Sequence, residues 1–86
     1  MPEKQATVKN RQGIHARPSA LLVQAAALFE SEITFARDEL VINGKSIMGV
    51  MMLAAEVGAN ILVRTEGEDE QDALDKMVEM IESEFD

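Results

Sequence analysis

Eighty-six residues, 47% of them apolar, suffice for one compact domain. At this size folding buries only about 60–65% of the unfolded surface, so the core is thin and a deep substrate cleft is not expected. Sixteen acids against eight bases give a net charge of −8, which argues against a nucleic-acid or anionic-membrane binder, and the lack of cysteine excludes disulfides, thiolate chemistry and cysteine metal sites.

Met1–Gln5 leads into no apolar segment, so a secretory leader is not expected. Ala6–Lys9 is short and β-compatible, and Asn10-Arg11-Gln12-Gly13 is a turn cluster. From Ala16 to Glu30, Leu22, Ala25, Ala26 and Phe29 recur at the spacing of an amphipathic helix. Pro18 falls in its first turn, where a missing N–H costs nothing. Glu32–Arg37 alternates, with Ile33 and Phe35 on one face, and reads as a strand. Arg37-Asp38-Glu39 turns into a second strand, Leu40–Asn43, which Asn43-Gly44-Lys45 breaks. Ser46 is placed as the N-cap of a short helix over Ile47–Ala55. Ile47–Ala55 is also the longest apolar run, far short of the roughly 20 residues of a membrane span. Asn60–Glu66 is the last strand, and Gly67 turns the chain into a helix over Glu68–Phe85. Leu74, Met77, Val78, Ile81 and Phe85 form its apolar stripe, and its acidic first turn complements the helix dipole. The order is βαββαβα. It predicts one α+β domain over residues 1–86, a four-stranded antiparallel sheet with all three helices on one face.

Charge is unevenly spread. Residues 66–86 carry ten acids and one base, Lys76, the pattern of a solvated helix face. Residues 1–20 carry four bases (Lys4, Lys9, Arg11, Arg17) and one acid, Glu3, around the single histidine. His15 occupies the expected N-cap of the first helix, where free backbone N–H groups at the positive end of the dipole suit an anion such as a phosphoryl group. Arg17 supplies a charge-assisted donor, Gly13 lets the chain turn, and Pro18 stiffens the first turn. By position alone, His15 reads equally as an exposed N-cap.

Two motifs decide between these readings. Gly13-Ile14-His15-Ala16-Arg17-Pro18 resembles the active-site signature of HPr, the histidine-containing phosphocarrier of the bacterial phosphoenolpyruvate-dependent sugar phosphotransferase system. Lys45-Ser46-Ile47-Met48-Gly49-Val50-Met51 resembles the regulatory-serine segment of Gram-positive HPr proteins, and the resemblance runs the length of the chain, including Glu66-Gly67-Glu68-Asp69-Glu70. It implies an open-faced β-sandwich in the cytoplasm. It also implies that His15 takes phosphate on Nδ1 from phospho-enzyme I and passes it to enzyme IIA, with Arg17 positioning the phosphate. No metal or organic cofactor is implied on the carrier, which is expected to be a monomer and not an enzyme.

Ser46 alone reads as a helix cap. The resemblance adds phosphorylation by HPr kinase/phosphorylase, and the two roles are compatible. Ile47, Met48, Val50, Met51, Met52 and Leu53 cannot all face inward on so short a helix. Val50 and Leu53 are the expected core residues, and Met52 stays open. Ile47, Met48 and Met51, beside Ala16, Ala20, Gln24 and Ala27 of the first helix, are the expected docking face for several partners. A second reading is a regulatory paralogue acting through phospho-Ser46 on a transcriptional regulator. Such paralogues lack the histidine that this chain keeps. A carrier in a nitrogen-related chain is a further alternative.

Overall fold

The structure, a computed structural model, describes residues 2–85. Its elements are β1 (Glu3–Thr7), α1 (Ala16–Ala26), β2 (Glu32–Arg37), β3 (Leu40–Asn43), α2 (Ile47–Met52), β4 (Asn60–Glu66) and α3 (Glu70–Ile81). The strands form an antiparallel sheet in the order β1-β4-β2-β3. Register follows from alternation. Ile61, Val63 and Thr65 of β4 are buried with Ile33 and Phe35 of β2, Ala6 of β1 and Ile42 of β3. Arg64, which pairs across to Glu3 and Thr34, lies on the open face. A one-residue slip would turn Phe35 to water and forfeit the ~1.5–3 kcal/mol that burying such a side chain contributes.

The helices cover the other face. Helix α3 packs on β1 and β4, α2 on β3, and α1 bridges α2 and α3. Ala73, Leu74, Met77, Val78 and Ile81 are buried along α3, while its acids point outward. No helix among the described residues is long and apolar enough to cross a membrane.

Four elements differ from expectation in their bounds. Helix α2 stops at Met52 and not at Ala55, with Leu53 as its C-cap and Ala54 already at φ +47°. Helix α1 stops at Ala26 and not at Glu30. The Leu28 N–H bonds back to Ala25 O at 3.1 Å and the Phe29 N–H to Ala26 O at 3.1 Å, tightening the turn. Phe29 then folds onto the core as a partly buried side chain. The Asp69 carboxylate accepts the N–H groups of Glu30 and Ser31 at 2.9 Å each, so the chain there is bonded to the start of α3 and not to its own helix. Helix α3 correspondingly begins at Glu70 and ends at Ile81: Glu82 and Ser83 still donate back to Val78 O (3.0 Å) and Met80 O (3.1 Å), and the chain then leaves, the Phe85 N–H donating to Asn10 Oδ1 at 2.9 Å. The first strand runs Glu3–Thr7, three residues earlier than expected. Val8 still donates to Ala59 O at 2.8 Å and accepts from Gly58 N at 2.8 Å, so pairing fades into the connection that leads to His15.

Candidate functional site

His15 is the N-cap of α1, with extended backbone (φ −91°, ψ −165°) and a side chain that makes no capping bond. Its carbonyl takes the first helical bond, from Ser19 N at 2.9 Å. Helix geometry leaves the N–H groups of Ala16 and Arg17 without intrahelical acceptors, and Pro18 has none to offer. Two backbone donors therefore lie at the point where the ring leaves the chain, and Arg17, two residues on, is exposed. Lys9 and Arg11, nearby in sequence, are exposed.

The backbone before His15 is tightly held. Gly13 has φ +73°, and a Cβ there would lie 2.4 Å from the carbonyl oxygen of Ala55. The next amide, Ile14 N–H, donates to that same oxygen at 2.8 Å. Only glycine allows the approach. The Ala55 loop is itself pinned by Arg37, which donates to Leu53 O (3.1 Å), Ala54 O (2.9 Å) and Glu56 Oε1 (2.6 Å). The Arg37 hydrogen bond, followed by the backbone N–H of Glu56 itself, holds the Glu56 carboxyl below its ordinary 4.5. Arg37 and Ala55 went unrecognised in the sequence, since an arginine at a strand end carries no local signal of what it reaches.

Ser46 caps α2 as expected, its Oγ accepting the Gly49 N–H at 3.0 Å. Lys45 Nζ donates to Phe29 O at 2.7 Å, tying this cap to the end of α1. Val50 is fully buried and Leu53 buried, whereas Ile47, Met48 and Met51 are exposed, Met48 at 77%. Met52, left open by the sequence, is 63% exposed. On α1, Ala16, Gln24 and Ala27 are exposed, but Ala20 is half-buried and not exposed. The buried stripe runs through Pro18, Ser19, Leu22 and Ala26, which draws Ala20 toward the flank of the helix. Since α1 and α2 pack together, the exposed residues of both lie on adjoining helices.

A family described as "PTS HPr component phosphorylation site" matches residues 2–83. The chain is 49% identical over 84 residues to the HPr-like protein Crh of Halalkalibacterium halodurans, covering 98% of this chain and 100% of that one. It is 42% identical over 85 residues to the phosphocarrier protein HPr of Cupriavidus necator, covering 99% and 96%. The crystal structure of HPr from Bacillus anthracis has a TM-score of 0.91 at 38% identity, covering 94% of this chain and 96% of that one. An antiparallel sheet with three helices on one face thus has its match in solved structure. The chain belongs to the HPr family of the phosphotransferase system.

Proposed function

We propose that the protein is a phosphocarrier in which His15 is the transient phosphoryl acceptor. The observation that carries this is the position of residue 15: an N-cap whose ring makes no capping bond, at a helix start where two N–H groups have no intrahelical acceptor and Arg17 is exposed two residues on. As the Nδ1–phosphorus bond forms, the bond from phosphorus to enzyme I breaks. In the onward step the Nδ1–phosphorus bond breaks as a histidine of enzyme IIA attacks. Phosphoryl transfer spreads charge over three equatorial oxygens, and pre-positioned N–H donors and an arginine are the groups that stabilise it. The chain supplies a swappable bond and not a turnover of its own, so it acts as a carrier and not as an enzyme. Docking is assigned to Ile47, Met48 and Met51 with Ala16, Ala20, Gln24 and Ala27, a surface adaptable enough for unlike partners in the cytoplasm. We assign the monomer as the working form.

The test is incubation with enzyme I and labelled phosphoenolpyruvate. Acid-labile label on wild type and none on His15→Ala supports the reading, and acid-stable label or label on His15→Ala overturns it. Arg17→Ala slows transfer and leaves the fold intact.

A second role is supported by Ser46. Its capping geometry and the 49% identity to a protein described as HPr-like Crh favour regulation through phospho-Ser46, by HPr kinase/phosphorylase and a transcriptional regulator, alongside carrier activity. Phosphorylation of Ser46 by such a kinase and ATP, absent in Ser46→Ala, is its test.

A further inference from the structure

The Asn10 side chain is 1% exposed, and both ends of its carboxamide are used. Nδ2 donates to Gly13 O at 2.8 Å, and Oδ1 accepts the Phe85 N–H at 2.9 Å. The Asn10 carbonyl also accepts the Gly13 N–H at 2.9 Å, so one residue holds both polar groups of Gly13. With Ile14 N–H on Ala55 O, the main chain leading into His15 has little freedom left. The second bond of the amide comes from a residue 75 positions away. The segment after α3 is also tied to the end of β1, which leads into that connection: Glu82 Oε2 accepts the Thr7 N–H at 3.0 Å. The Phe85 ring packs partly buried against the core.

A planar carboxamide bonded on both sides transmits displacement. If Phe85 moves, Oδ1 loses its donor or the whole amide follows, and Nδ2 carries Gly13 with it. His15 is two residues further on, and its ring has to point Nδ1 at an incoming phosphorus. We propose that Asn10 is a positioning residue for His15 and that it makes residues 82–85 part of the phosphoryl-transfer site. The proposal deepens the phosphocarrier reading and rests on it.

The experiment compares wild type, Asn10→Ala, Phe85→Ala and Phe85→Pro as substrates of enzyme I and phosphoenolpyruvate, with the unfolding midpoint of each. Both Phe85 variants lose the ring, but only Phe85→Pro loses the N–H. Displacements of about 1 Å around a reacting group cost up to about 100-fold in rate, so kcat for Asn10→Ala should fall by about tenfold or more. KM should stay near wild type, because the α1–α2 docking surface is untouched. Phe85→Pro should fall below Phe85→Ala in kcat, and the rate at which isolated phospho-His15 hydrolyses should change in the same two variants. A folded Asn10→Ala with wild-type kcat, or a loss confined to KM, overturns the positioning role. Equal kcat for Phe85→Ala and Phe85→Pro overturns the coupling to the C-terminal segment, and this pair decides if Asn10→Ala does not fold. If wild type itself takes no label on His15, the phosphocarrier reading fails and the proposal with it.

Discussion

Asp69 grips Ser31 twice through one oxygen: its Oδ1 accepts both the backbone N–H and the hydroxyl of Ser31, while Oδ2 accepts the N–H of Glu30. These bonds join the end of the α1–β2 connection to the start of α3, and Gly67 fits against Ser31 where a Cβ would not. The Ser31 hydroxyl first, and then the Glu30 N–H, hold the Asp69 carboxyl below its ordinary 3.8.

A depressed folded-state pKa means that the ionised carboxylate stabilises the fold, fully so above the unfolded value and progressively less as pH falls through the folded one. Urea melts of wild type and Asp69→Asn should therefore differ at pH 7, and the difference should shrink as pH drops below about 4. A gap that stays constant down to pH 3 would rule out the ionised carboxylate as its source.

Gly13→Ala and Gly58→Ala separate conformational strain from collision. Both glycines have positive φ, +73° and +91°, but a Cβ at Gly58 meets open space whereas one at Gly13 meets the Ala55 carbonyl. Gly58→Ala should cost about 1–3 kcal/mol in chemical denaturation, the strain alone. Gly13→Ala should cost clearly more and also slow His15 phosphorylation, since the backbone has to shift beside the acceptor. Equal losses would show that the Ala55 loop yields freely.

Met48→Ala and Met51→Ala should each lower stability by less than about 1 kcal/mol, against roughly 2–5 for Leu53→Ala in the core. Each should nevertheless weaken binding to enzyme I or enzyme IIA, measured by titration calorimetry. A large fall in melting temperature with unchanged binding would place the two methionines in the packing and not in the docking surface.

Ser46→Ala removes the acceptor of the Gly49 N–H and should cost about 1 kcal/mol with carrier activity nearly intact. Ser46→Asp keeps a capping oxygen and adds a charge beside Met48 and Met51. It should slow His15 phosphorylation by enzyme I, chiefly through weaker association and more at low salt than at moderate salt. Wild-type rates for Ser46→Asp at every salt concentration would remove the electrostatic account and leave Ser46 as a cap.

Local rules made much of this protein legible in its residues. Alternation along Glu32–Arg37 and Asn60–Glu66, the 3.6-residue stripe of α3, the Ser46 cap and the placement of His15 at a helix start depend on near neighbours, and those are printed in the chain. Element order and helix faces follow from the same periodicities. The tertiary structure alone decided where α1 and α3 stop, because the competing acceptors lie far off in sequence: Asp69 for Glu30 and Ser31, Asn10 for Phe85. It alone showed that Gly13 is required by a carbonyl over forty residues away as well as by its own turn. Met52 is exposed and Ala20 half-buried for a related reason. A side chain at the margin of an apolar stripe is buried or bare according to which helix packs beside it, and that partner is chosen by the sheet.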